Sequence, residues 1–173
     1  MSEPELASVP GIGPRHAARV VAALDLARRL LSEPLEHGKA ITSDQDVFNA
    51  FEHRLRDLER ETFLAVYLDV KNRVICDEIV AIGSVDSCAV SPCDILRSAL
   101  RVAAVGLIVI HCHPSGDATP SSADDALTER LREATKLVGI QLLDHVIIGD
   151  GRHFSYAARG RVLRLGHTIT ASA

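Results

Sequence analysis

The sequence predicts an α/β fold (α+β in finer schemes): a mixed, curved β-sheet over about 62–156 flanked by helices, with a small N-terminal helical hairpin. Three observations point there. Short apolar runs such as Val105–Ile110 and Gly139–Gly149 alternate with stretches whose apolar residues recur at helical spacing. Those runs are continuous rather than alternating, as in strands buried on both faces. At 173 residues, 47% hydrophobic and 24% charged, the chain suits one compact domain with an appendage. With no Trp and 3% aromatic residues, the core must be aliphatic.

Residues 1–34 form the first segment. Val9-Pro-Gly-Ile-Gly-Pro-Arg-His16 reads as a Gly-rich hairpin running into a helix, with Pro14 in its first turn. Ala17, Val20, Leu24, Ala27 and Leu31 then line one face, near Arg15, Arg19, Arg28 and Arg29. The segment resembles the hairpin and second helix of a helix-hairpin-helix motif, whose backbone N–H groups hold a DNA phosphate without reading sequence. That resemblance makes Gly11, Gly13 and Arg15 candidate DNA contacts. A plain helical hairpin explains the same pattern, and the only candidate for a preceding helix, Glu5–Ser8, is very short.

Pro and Gly within Glu33–Lys39 mark a linker, placed at 35–41, ahead of a main domain over 42–160. Ser43 or Asp44 caps a helix running through Val47, Phe48, Phe51, Leu55 and Leu58. Thr62–Val70 and Val74–Ile82 read as a strand pair joined by the turn Lys71–Arg73. Both faces of the second strand are apolar, which predicts a central position and leaves Asp77 and Glu78 to be explained. Pro92–Leu100 starts a helix, Asp125–Val138 another, and Gly149–Arg152 is a tight turn into the strand His153–Tyr156. Residues 161–173 form a basic tail with Arg161, Arg164 and His167.

Charge and composition narrow the function classes. A net charge of −4 and a pI near 6.0 suit a strong non-specific DNA binder poorly. Cys76, Cys88, Cys93 and Cys112 contain no Cys-x-x-Cys pair, so reduced thiols are expected. Met1-Ser-Glu-Pro-Glu5 has neither a basic start nor an apolar run, and no stretch approaches membrane-spanning length. A cytoplasmic protein without a membrane partner is the expectation, with pairing of two chains through the N-terminal helix left open.

The chemistry concentrates in His111-Cys-His-Pro-Ser-Gly-Asp-Ala-Thr-Pro-Ser-Ser-Ala-Asp124. A strand delivers His111 and His113 on one side, with Cys112 on the other. Asp124 shares the inward helical face of Leu127 and Leu131. Two imidazoles and a carboxylate make a three-ligand set for Zn²⁺. Ser121–Asp124 is also close to a capping box, which needs no metal, and spacing alone does not choose. Glu78 suits a general base, because a carboxylate among apolar groups has a raised pKa; an acid reaching water or a cation is the alternative. Asp144-His145 reads either as support for the ligands or as a self-satisfied core pair.

His-x-His-Pro, six residues, Ser, two residues, Asp is similar to the signature of the JAMM (MPN+, JAB) metallohydrolases, here His111, His113, Pro114, Ser121 and Asp124. His111–Asp117, then Thr119-Pro-Ser, and Gly139-Ile-Gln-Leu-Leu-Asp-His-Val-Ile-Ile-Gly149 more narrowly resemble the bacterial RadC family, from about Ile41 to Tyr156. The resemblance implies a JAB/MPN, cytidine-deaminase-like architecture with Zn²⁺ held by His111, His113 and Asp124. It implies Glu78 as the base that activates water, Ser121 as the oxyanion donor, and a peptide or isopeptide bond in a protein substrate as the target. RadC-like proteins also carry a DNA-repair label, so the alternative is a DNA-associated repair or recombination factor, with nuclease activity at the same metal site. The chain departs from the RadC pattern in its short N-terminal region and in having Cys93 and Asp94 where Arg-Glu is usual. Other metal-site classes fit worse. A metallo-β-lactamase motif would need Asp and His where Ser115 and Gly116 stand, and the chain is too short for a (β/α)₈ barrel.

Overall fold

The computed structural model describes residues 2–31, 35–55, 58, 60–83 and 90–162, and the side chains of all of these but 28–31. Expectations for Glu33, Pro34, Cys88, Arg164 and His167, and for the side chains of Arg28, Arg29 and Leu31, fall outside what is described. The chain divides into two compact units, Met1–Glu33 and Pro34–Ala173.

In the first unit α1 (Glu3–Ala7) packs on α2 (Pro14–Leu31). Gly11 turns the chain between them at φ 89°, a left-handed conformation that suits glycine. Ala17 is buried, whereas Val20, Leu24 and Ala27 on the expected apolar face are exposed.

The second unit is built on one mixed sheet. Its strands are β1 (Thr62–Leu68), β2 (Val74–Ile82), β3 (Gly106–Cys112), β4 (Gln141–Ile148) and β5 (His153–Ser155), in the spatial order β2-β1-β3-β4-β5. β3 and β4 run parallel, joined by the crossover helix α5 (Ser122–Leu137), and the other neighbours are antiparallel. Alternation along the strands divides the core. Leu64, Val66, Leu68, Ile108, Ile110 and Cys112 pack with Val47, Phe51 and Leu55 of α3 (Asp44–Leu55). Phe63, Ala65, Tyr67, Leu107 and Val109 pack with Ile95 and Ala99 of α4 (Pro92–Arg101) and with Leu127 and Leu131 of α5.

One expectation is corrected. β2 is an edge strand, not a central one: β1 is its only strand partner among the described residues, with Val74 at its start also bonded to Gly38 and Lys39, and Ile79 and Ile82 are exposed. The two acids that prompted the question both have cationic or hydroxyl partners. Asp77 meets Arg54 of α3 at 2.8 Å. Glu78 accepts the Tyr67 hydroxyl at 2.6 Å, with Arg101 at 3.9 Å. An edge strand tolerates such residues because its side chains reach solvent or the rim of a helix.

Candidate metal centre

The site forms where β3 ends and α5 begins. Register sets it: Phe63 lies opposite His111, so Glu61, just ahead of β1, arrives beside the histidine. His111 points to the α5 side of the sheet and Cys112 to the α3 side, as strand alternation requires. His113 lies one residue beyond β3, yet its Nε2 comes to 3.0 Å from His111 Nε2. Asp124 completes the set, with Oδ1 at 3.1 Å from His111 Nε2 and Oδ2 at 3.4 Å from His113 Nε2.

Each group is held from behind. Ser121 is the N-cap of α5 and forms a capping box with Asp124. Its backbone N–H and hydroxyl both donate to Asp124 Oδ2 at 2.7 Å, and its Oγ accepts the Asp124 N–H at 3.2 Å. The capping box and the metal-ligand reading therefore use one and the same carboxylate. His113 Nδ1 lies 2.7 Å from the Asp117 carbonyl oxygen, which only accepts, so Nδ1 carries a hydrogen and Nε2 is the nitrogen turned to the site. The loop that carries Asp117 rests on Gly149: Asp150 N–H donates to Gly116 O at 2.9 Å, and a Cβ at Gly149 would stand 2.4 Å from that oxygen.

Of the acids in the region, it is Glu61 that joins the histidines. One donor atom from each of Glu61, His111, His113 and Asp124 lies within 4.8 Å of the others. Glu61 Oε1 is 3.7 Å from His111 Nε2, and the side chain is 25% exposed, against 0% for His111 and 8% for Asp124. Glu78 stands elsewhere on the sheet, opposite Ala65, with its carboxylate on Tyr67. Sequence reasoning chose it for its apolar strand and for the family resemblance, and did not single out Glu61, an acid directly before a wholly buried strand.

The Asp144-His145 pair also separates. Asp144 accepts from His145 N–H (2.7 Å), Ser155 Oγ (2.6 Å) and Ala157 N–H (2.9 Å), tying β4 to β5 and the residues after it. The His145 ring instead faces the site, with Nε2 at 2.9 Å from His111 Nδ1 and Nδ1 at 2.6 Å from the hydroxyl of Thr128. Thr128 was not among the expected residues; its signal is a polar side chain one helical turn after Asp124.

The electrostatics fit a cation. Burial works to raise the Asp124 pKa, but hydrogen bonds with His111 and His113 more than reverse this and hold it well below the usual carboxylate range. Asp124 in turn raises the pKa of His113 against the opposing effect of burial. Full burial pushes His145 well below the ordinary imidazole value. Burial also raises Asp144 to about 6 despite its three hydrogen bonds. Two carboxylates and two imidazoles around one point match the N and O donors that Zn²⁺ takes. The remaining candidates, Gly11, Gly13 and Arg15, belong to the first unit, where all three are exposed.

A family profile described as RadC-like JAB domain matches residues 41–161. A protein named UPF0758 from Desulforamulus reducens is 44% identical over 158 residues, covering 91% of this chain and 70% of that protein. UPF0758 proteins from Methanosarcina mazei and Syntrophotalea carbinolica are similar at 42% and 44% identity, covering 91% and 90% of this chain and 69% of each relative.

Proposed function

Because the chain belongs to the RadC-like JAB domain family, we propose that it is a metal-dependent hydrolase that uses Zn²⁺ to cleave peptide or isopeptide bonds. The observation that carries this reading is the convergence of His111 Nε2, His113 Nε2 and the Asp124 carboxylate, with Glu61 beside them. His111, His113 and Asp124 would hold the ion, and Glu61 is the more exposed fourth group. A divalent ion bound there lowers the pKa of water towards neutrality and polarises a carbonyl.

The chain's own groups supply the rest. Glu61 replaces Glu78 as the general base: it takes a proton from water and returns it to the leaving amine. Ser121 holds Asp124, since its hydroxyl hydrogen is donated to Oδ2. The oxyanion role expected for Ser121 requires that hydroxyl to turn away from Asp124 when substrate binds. Asp117 O fixes the ring of His113. Elemental analysis of wild type, His113→Ala and Asp124→Ala tests the site. Zinc equimolar with wild-type chain and lost in both variants is expected; no zinc in the wild type after it is supplied overturns the reading.

A second reading, DNA contact by the first unit, is favoured by the exposed turn at Gly11–Gly13 that runs directly into α2. Its test is salt-dependent DNA binding that falls in Arg15→Ala and survives Glu61→Gln.

A further inference from the structure

Tyr156 directly follows β5, and its side chain is buried. Backbone and ring are both registered on one residue of β4. The Tyr156 N–H donates to the His145 carbonyl at 3.1 Å. The phenol ring lies on the His145 imidazole, with centroids 4.9 Å apart and planes 7° from parallel. That imidazole stands 2.9 Å from His111. Held at two points, the ring has little choice of direction for its hydroxyl, which donates to Asp125 Oδ1 at 2.7 Å. A hydrogen bond from a hydroxyl to a carboxylate at this distance is charge-assisted and strong. Arg161 donates to the same oxygen at 2.8 Å, but from a side chain 55% exposed, where solvent weakens the pair.

Asp125 belongs to the first turn of α5, the turn that carries Asp124. We infer that Tyr156 is a positioning residue that holds this turn, and with it the Asp124 carboxylate, in place beside His111, a role that rests on the metal site proposed above. Asp124 and His111 come from different elements, a helix start and a strand end. Their 3.1 Å approach survives only if the helix start does not slide across the sheet. The Ser121 cap acts inside the helix and moves with it. Thr128 joins α5 to His145 one turn later, at 2.6 Å, and leaves the first turn free to pivot about that point. Tyr156 supplies the second point of attachment. His111 needs no such restraint from α5, because its own ring is stacked on Phe63 at 4.9 Å and 10°.

The test uses Tyr156→Phe and Tyr156→Leu in the full chain. Phenylalanine keeps the stack and loses the hydroxyl; leucine loses both. Zinc affinity is read by competition against a chelator. In the metal-free protein, backbone amide exchange compares Asp125 with Leu131, which lies further along α5. A residue serving stability alone would weaken the fold with and without zinc alike. It would leave the zinc affinity of the folded chain unchanged and speed exchange along the whole helix. Tyr156→Phe should instead bind zinc about 3- to 10-fold more weakly, the scale of one hydrogen bond. Tyr156→Leu should lose about 10- to 100-fold, as other metal sites do without an orienting partner. Exchange should quicken more at Asp125 than at Leu131 in both. Should the leucine variant not fold, the phenylalanine variant carries the test by itself. Equal zinc affinity in wild type and Tyr156→Phe, or exchange that quickens equally at the two positions, overturns the inference and leaves the metal reading standing. A wild type that takes up no zinc refutes the metal reading instead; selective exchange at Asp125 then still supports the attachment by Tyr156, and uniform exchange overturns it.

Discussion

Glu78 and Glu61 stand beside the same strand, β1, and by residue type alone they are interchangeable. Glu78 takes a 2.6 Å hydrogen bond from Tyr67 and has Arg101 nearby. Burial and that carboxylate raise the Tyr67 hydroxyl far above its ordinary value, so the pair keeps its proton on the phenol throughout the neutral range. Glu61 faces a different neighbourhood, in which Nε2 of His113 lies 3.0 Å from Nε2 of His111 and a second carboxylate stands alongside. The first cluster is complete with its own protons and cations. The second gathers two imidazoles and two carboxylates around one point, a donor set that could hold a cation. A carboxylate acquires chemistry from what its neighbours leave unsatisfied, not from the apolar character of its strand.

The contrast can be broken most directly by exchanging each acid for its amide. In a peptide-hydrolysis screen of zinc-loaded protein, Glu61→Gln should lower turnover by about 10²- to 10⁴-fold, the usual cost of losing a general base. Glu78→Gln should change it by about twofold, as substitutions away from a reacting centre do. Equal losses would return Glu78 to the mechanism.

A smaller effect is expected behind the metal centre. Gly149→Ala drives a methyl group into Gly116 O, where only a backbone shift relieves the contact. Overpacking of this kind costs about 1–3 kcal/mol, and the displaced loop carries the Asp117 carbonyl that orients His113. Urea unfolding should show the loss of stability and chelator competition a weaker zinc affinity. Destabilisation with unaltered affinity would show that the loop does not orient His113.

A change of similar size sharpens the comparison from the buried side. The Asp144 pKa rises from an ordinary 3.8 to about 6 in the folded protein because burial penalises its anion. A raised folded-state pKa means that the stability it contributes is present below about pH 4 and is lost as pH climbs through 6. The difference corresponds to about 2–3 kcal/mol. The amide introduced by Asp144→Asn keeps an acceptor for the N–H groups of His145 and Ala157 and never ionises. Unfolding free energies at pH 4 and pH 7 should therefore show the variant gaining on wild type as pH rises. A constant difference between the two would mean that Asp144 titrates normally.

Much of the fold was legible in the chain. Continuous apolar runs announced the interior strands, and β2 spans the expected Val74–Ile82. The run from His111 to Asp124 announced the two imidazoles and the carboxylate, because a strand end, a short loop and a capped helix are local features. Other features were not legible. The edge position of β2 follows from pairing order, and its composition alone reads as central. Asp77 and Glu78 looked like unexplained buried acids because their partners Arg54, Tyr67 and Arg101 come from other elements. Asp144 and His145, adjacent in sequence, diverge into separate networks because successive strand residues point to opposite faces.

By itself the sequence determined the elements, the family and three of the four groups that could hold a metal ion, all of which depend on spacing within one or two consecutive elements. Tertiary structure decided the fourth group and what stands behind the histidines. Glu61 lies far ahead of His111 in the chain and reaches it through the β1–β3 register. Behind His111 stand His145 on a neighbouring strand and Thr128 on a helix. Register and hydrogen-bond partners are set between elements, where no local pattern of residues records them.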